Sequence, residues 1–385
     1  MRRAAAVLVA LAACADLKSA PDANIEGGGG GGGPLDGGSG ASPDGGGPNS
    51  DGSAPDALGP GGEDAAVGPA EPCEPEVACL DPSDPTVIEV PSEKTMADAL
   101  TSASAFDTIQ VRKIAIDSSV TLPPNVNLHG CEGASIIRSV SVSRGTSTID
   151  GFAVTGSIFV NQNGKFFVKR MKFRPAVVTL AAPLAITSIS SETGVEHEVT
   201  VSQCSFVGGS KGIDVYANGN VRGMGMTLNV ENSVFSRVVA PIVIDRGAET
   251  AKVSLYVTSS TFHDFTSAVA FRGFPTPNPM AVLDASLFVK GKTAIDANGT
   301  FRDGFSFVHA VVTAMSSPPT PLVAMTDVDP RFVDAAHDDL RLSRGSPAVN
   351  RIAGVFVVTP KDFQGCPRPS DIRSDPGAYE SQPLP

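Results

Sequence analysis

The apolar positions of this chain repeat on two fixed internal intervals. The pattern Val-x-x-x-x-Phe, with Leu once in the first place, occurs five times: Val168 to Phe173, Val201 to Phe206, Val230 to Phe235, Val257 to Phe262 and Leu283 to Phe288. Seven residues after each of the last four phenylalanines stands a second apolar anchor: Ile213, Ile242, Val269 and Ile295. The phenylalanines recur every 26 to 33 residues, and a weaker copy is expected from Val308 to Thr313. Constant spacing inside a variable outer period predicts stacked coils whose loops differ in length. Each repeat alternates short β-branched runs with glycine or asparagine and lacks the length and the 3.6-residue period of two helices. Each coil should therefore give short strands to several parallel sheets.

Parity places a bend inside each repeat. Val230 and Phe235 are an odd number of positions apart, so they cannot share one face of a straight strand. Both can point inward if the chain turns at Asn232, and the equivalent Gln203 and Ser259 are also polar residues suited to turns. The next inward column would hold Cys204, Ser233, Ser260 and Ser286, all small. On the following strand the inward positions would be Ile213 and Val215, Ile242 and Ile244, Val269 and Phe271, then Ile295 and Ala297. A β-sandwich would predict hairpin turns and no constant seven-residue offset. The expected fold is all-β, a right-handed parallel β-helix of roughly ten coils, each adding about 4.8 Å of strand spacing.

The chain before the coils reads differently. Arg2 and Arg3 precede a short apolar run, Ala4 to Ala13, as in a secretory signal, and the run is too short to span a membrane. Leu11-Ala12-Ala13-Cys14 resembles a bacterial lipobox, which implies that Cys14 becomes lipidated after residues 1–14 direct export. From Ala15 to about Asp84 the composition falls to Gly, Pro, Asp, Ser and Ala, and such a segment cannot bury enough apolar surface to offset its ordering entropy. It is expected to be a flexible tether with a reach on the order of 40 Å. Fourteen acids stand in it against Lys18 alone; with Arg2 and Arg3 added, the remainder carries only −1 of the chain's net −12. The acidity belongs to the tether and argues against a nucleic-acid partner.

Cys73 and Cys79, with five residues between them in an exported context, suggest a small-loop disulfide. Cys204, where serine stands in other repeats, reads as a buried free thiol; pairing of Cys131 or Cys366 stays open. The folded part is expected from residue 85, opening with the strand Thr86-Val87-Ile88-Glu89-Val90. A short helix capped by Ser92 would follow, with Met96, Ala99, Leu100 and Ala103 on the face that covers the first coil. A second strand follows at Thr108 to Val111.

The segment Val120 to Gly130, VTLPPNVNLHG, resembles the first full coil of pectin-lyase-like proteins. Coils are expected through residue 319 and a closing module from 320 to 385. Within that module stand Asp329-Pro330-Arg331-Phe332-Val333-Asp334, then Leu342-Ser343-Arg344-Gly345-Ser346-Pro347-Ala348-Val349-Asn350. Asp362 to Pro369 (DFQGCPRP) and Asp375-Pro376-Gly377-Ala378-Tyr379-Glu380 complete the set. These four blocks resemble the C-terminal module of choice-of-anchor Q bacterial surface proteins, with Asn350 in place of the usual Asp and Cys366 inside the Pro-Arg-Pro block. The resemblance implies a surface β-helix and supplies no catalytic residues. The Gly-Ser-Pro and Gly-Ala-Tyr turns are expected to close the last rung.

Candidate chemistry is sparse. An outward column three residues beyond the second anchor holds Tyr216, Asp245, Arg272 and Asn298, so Asp245 and Arg272 are the candidate catalytic pair, with a surface ion pair as the simpler reading. Asp214 and Asp296 share a second column but are three rungs apart, too far to share a metal or a proton. The five histidines show no metal-ligand spacing, tryptophan is absent and tyrosine occurs three times. No metal or cofactor is expected. The expected function is surface display, structural, adhesive or ligand-binding, with the membrane as partner through Cys14 and a glycan or surface protein as ligand. The alternative is a polysaccharide lyase or glycoside hydrolase. The segments Val221–Met226 and Phe274–Pro279 depart most from the coil template and are candidate ligand loops.

Overall fold

The computed structural model describes residues 77–90, 95–161, 164–175, 182–189, 197–218, 225–246, 252–273, 280–296, 300–304, 306–315, 329–353, 359–368 and 373–381. They form a parallel β-helix. Its first face is a sheet of ten strands stacked in sequence order, from Val87–Val90 through Thr108–Arg112 and Asn127–Cys131 to Met280–Asp284 and Thr300–Gly304. A second face of short strands starts at Ala115–Ile116, and a third starts at Ser119–Leu122. From Thr261–Arg272 onward these two faces run as one continuous strand per coil, repeated in Leu287–Asp296 and Phe307–Met315.

The predicted columns are present. Val168, Val201, Val230, Val257 and Leu283 stand in register on the first face. The five phenylalanine rings stack 4.4–4.8 Å apart and within 9° of parallel. Ile213, Ile242, Val269 and Ile295 pair in turn on the third face. Stacking identical side chains one strand spacing apart fills the interior without voids, which is why the phenylalanines repeat. The weaker copy is out of phase. Val308 pairs with Phe288 and Asp303 with Leu283, so the last coil runs from Asp303 and not from Val308. Its shorter length moved the apparent match by five residues.

The bends fall where parity required. Gln203, Asn232 and Ser259 have φ of 54°, 44° and 48°, and Arg170 and Ala285 continue the same corner at 49° and 51°. Asparagine tolerates this left-handed region and alanine does not favour it. The small residues after the corner do more than fit. The amide N–H of Cys204 donates to Ser233 Oγ, that of Ser233 to Ser260 Oγ, and that of Ser260 to Ser286 Oγ, at 3.2–3.3 Å. Each hydroxyl in turn donates to the carbonyl two residues back, Ser233 to Glu231, Ser260 to Thr258 and Ser286 to Asp284. The corner breaks the sheet ladder inside a dry core, and the serine ladder satisfies the backbone groups left over. Ser260→Ala should therefore cost about 1–3 kcal/mol by stranding the Ser233 amide, measured by urea unfolding; a loss below 0.5 kcal/mol, the ordinary scatter of neutral substitutions, would show that the ladder contributes nothing.

The N-terminal end is covered as expected, with one change of cap. The helix Met96–Ser102 begins at Thr95, whose hydroxyl accepts from Asp98 N as an N-cap and donates to Asp98 Oδ2. Ser92 lies outside the described residues. Ala99 is fully buried in the main core, and Met96, Leu100 and Ala103 pack against it.

The expected Cys73–Cys79 disulfide is not formed, because Cys79 bonds to Cys131. The cause is the course of residues 77–80, which composition groups with the tether. Leu80 N donates to Gln110 Oε1 at 2.5 Å, and the His129 ring bonds to Ala78 O at 2.9 Å. The chain is thereby laid along the outside of the first face, with Cys79 beside the end of strand Asn127–Cys131. Cross-linking across a separation of 52 residues removes unfolded-state entropy worth about 4 kcal/mol. Cys73 itself lies outside the described residues. Cys366 is also disulfide-bonded, and Cys204 is a buried free thiol whose ionisation burial pushes up to about 12.

The two antiparallel pairings of named strands among the described residues, Phe332–Asp334 with Asp339–Leu342 and Ile352–Ala353 with Arg373–Ser374, lie in the C-terminal module. The Gly377-Ala378 turn, expected on the last rung, meets Thr261 and Ala285 on earlier ones. The module docks on the flank of the middle coils, for the reasons that follow.

Candidate functional site

The candidate pair on the third face is in register but not assembled. Tyr216, Asp245 and Arg272 occupy successive rungs. Tyr216 and Arg272 are exposed, Asp245 is half-buried, and no ion pair or hydrogen bond joins Asp245 to Arg272 among the described residues. Asn298 and the segments 221–224 and 274–279 lie outside the described residues, while Gly225 and Met226 begin a strand. Asp214 and Asp296 are separated by Val243 and Ala270, as their spacing required. Asp214 is held by Lys211 Nζ at 2.7 Å. Three rungs between Asp214 and Asp296 are too many for the two acids to share a metal or a proton.

The acids that do gather are in the C-terminal module, and sequence reading gave them no role. Asp362, Asp375 and Glu380 surround Arg368, and all four are buried. Arg368 Nη1 donates to Glu380 Oε2 at 2.9 Å and to Asp375 O at 3.1 Å; its Nη2 donates to Gly377 O at 2.7 Å. Asp362 accepts from the amides of Gln364, Cys366 and Glu380, and Asp375 accepts from those of Asn350 and Ser381. Burial pushes the Glu380 carboxyl up to about 8, with Asp375 adding to the rise and Arg368 opposing it. Asp362 is raised for the same first reason, and burial lowers Arg368. The motif acids thus form a sealed clasp with no side exposed to a substrate.

That clasp is also the dock. Arg368 Nη2 donates to Asn232 Oδ1 at 3.2 Å, Asn232 Nδ2 to Lys361 O at 2.6 Å, and Gln203 Nε2 to Asp362 O at 2.9 Å. The bend residues present their side chains outward at the corner, and the module reads them. Ala378 N donates to Thr261 Oγ1, and Gly377 N donates to Ala285 O at 2.7 Å. Gly377 has φ of 91°, and a Cβ there would lie 2.7 Å from both Leu287 and Thr261, so only glycine permits the approach. Val234, Leu340 and Ala378 are buried together beneath Phe332, Phe363 and Tyr379.

Docking leaves a cleft of about 480 Å³ where residues 329–335 face the last coils. His263, Val289, Lys290 and His309 line the coil side, and Asp329, Arg331 and Phe332 line the module side. His263, Val289 and His309 form one register column, each the residue after a position of the phenylalanine stack. His263 is buried and meets the Phe332 ring edge-on at 5.8 Å, and its Nδ1 has no partner among the described residues. Burial lowers its proton affinity, and Asp264 partly opposes this. Ser236, one rung below, donates to Asp338 Oδ1 at 2.6 Å, and Arg237 holds the other oxygen. The shorter last coil hides this column in the sequence; with Val308 in the phenylalanine position, His309 follows His263 by two rungs.

No group of three or more potential metal ligands occurs among the described residues. Compared with models of known protein families and with curated proteins, the chain matches none.

Proposed function

We propose that the chain is an exported surface protein, held by a lipid at Cys14 on the outer membrane or cell surface of a bacterium. An acidic tether would carry a β-helix that adheres to or binds a ligand without catalysis. The observation that carries this reading is the Cys79–Cys131 bond at the junction of tether composition and first coil. Disulfides persist in oxidising compartments, and this one fastens the chain before the first strand. A pull on the tether would load a covalent bond before it reached the hydrogen bonds of the coils. The module supports a kinship with choice-of-anchor Q surface proteins: Asp362, Arg368, Asp375 and Glu380, drawn from its last two motif blocks, share one clasp, which gives those blocks a common physical purpose.

The test is fractionation of cells expressing the wild type and Cys14→Ala. Wild type should partition with membranes and incorporate labelled fatty acid, and Cys14→Ala should do neither; a variant that stays in the membrane fraction would sink the anchor. The same wild-type protein should release no new reducing ends or unsaturated products from acidic and neutral polysaccharides. Turnover abolished by Asp245→Ala would replace this reading with a glycan-cleaving enzyme.

A further inference from the structure

We infer that Cys366 of the C-terminal module is bonded to Cys73, so that the end of the tether is stapled to the module across the middle coils.

Elimination is the first argument. Six cysteines stand in the chain. Cys366 is disulfide-bonded, Cys79 and Cys131 hold each other, and Cys204 is a free thiol. Only Cys14 and Cys73 are left to pair with Cys366, and a lipid on Cys14 would consume its sulfur as a thioether.

The second argument is the path of the chain, and it does not depend on the anchor. Leu80 hydrogen-bonds to Gln110, and Ala78 to His129 on the next rung. Val77 Cγ1 lies 2.9 Å from where a Cβ on Gly151 would stand, one rung further on again. From residue 80 back to 77 the chain thus climbs two rungs in three residues, about 3.2 Å per residue at a strand spacing of about 4.8 Å. That is close to full extension. Beyond Gly151 the same corner continues one rung at a time through Arg170, Gln203 and Asn232.

Four more residues lead from Val77 back to Cys73, and Pro72 and Pro75 favour extended chain there. At about 3.1 Å per residue they would cover about 12 Å, two to three further rungs, and end beside Gln203 and Asn232. Cys366 stands at that place. Gln203 Nε2 donates to Asp362 O and Asn232 Nδ2 to Lys361 O. Asp362 in turn closes the turn on Cys366, its N–H donating to Cys366 O and its Oδ1 accepting from Cys366 N, both at 2.8 Å. Forming the bond takes two protons and two electrons from the two thiols. A protein disulfide oxidant of the exporting compartment would accept them by thiol–disulfide exchange and leave as its dithiol. The closed loop then spans nearly all the coils and holds the module to the corner by a route separate from the Arg368 clasp.

The experiment is peptide mapping of the full chain, purified in detergent without reductant, its free thiols alkylated in denaturant. Cleavage after Lys, Arg and Glu separates Cys73 from Cys79 at Glu76. Mass spectrometry should then find a Cys73 peptide joined to a Cys366 peptide, beside the Cys79–Cys131 pair, and reduction should part them. Cys73→Ser should make Cys366 open to alkylation and leave Cys79–Cys131 intact, which reports that the coils still fold. It should also speed hydrogen exchange at 359–368 and 373–380 by about tenfold or more, since a long closed loop is released. Cys14→Ala should keep the link, so the staple and the lipid anchor are read apart. Cys366 alkylated in the wild type, or joined to Cys14 or to a second copy of the chain, would overturn the pairing. Exchange unchanged in Cys73→Ser would overturn the staple.

Discussion

Arg368→Ala should destabilise the protein by about 3–5 kcal/mol, the cost of stranding buried charges. The guanidinium is 1% exposed and its partner Glu380 2%. Removing it leaves Glu380, Asp362 and Asp375 facing one another in a dry site and breaks the contact with Asn232 on the coil corner. The loss should be local before it is global. The coils have their own continuous core from Val90 to Val308, and solenoids hold by contacts between neighbouring coils. The module should therefore open first, seen as faster hydrogen exchange at 359–380 with little change at 197–246. Arg368→Met combined with Glu380→Leu should recover much of the loss, because removing both partners avoids the stranded charge. Uniform exchange across coils and module, or a single variant as stable as wild type, would show that the clasp is not what holds the module down.

How far the sequence could be read follows from where each interaction closes. The five-residue interval from Val230 to Phe235 is set within one coil by a left-handed corner, so the corner at Asn232 was legible from parity alone. That Asn232 also receives Arg368, 136 residues later, depends on where the module folds back, and nothing local in the sequence marks it. Ser233 and Ser260 were legible as small; their role as acceptors for the preceding coil's amides needed the stack itself. Cys79 shows the same limit. Spacing favours a near partner, but side chains from two coils, Gln110 and His129, hold the incoming chain where Cys79 bonds to Cys131. The cleft was missed for a different reason: a five-residue phase error in one weak repeat separated His309 from its column.

His197 sets the second large effect. Its ring points into the core beneath the first face, fully buried, edge-on to Phe166 at 5.7 Å, with neither ring nitrogen partnered among the described residues. Burial lowers its proton affinity from 6.5 to about 4. Because the folded value lies below the unfolded one, the unfolded chain binds more protons between those two pH values. The stability tied to the neutral ring is complete above pH 6.5 and is lost as pH falls towards 4, about 3 kcal/mol in all. Glu380 acts in the opposite sense, since its folded value is raised to about 8 and its cost is relieved as pH falls. The wild-type curve therefore mixes both, and a difference measurement separates them. His197→Met places in the core the residue type already paired with it, Met226. That variant should match or exceed wild type at pH 7 and gain about 3 kcal/mol on it by pH 4, read by urea unfolding across that range. A gap between the two proteins that stays constant from pH 7 to pH 4 would mean that His197 is not neutral and sealed in the fold.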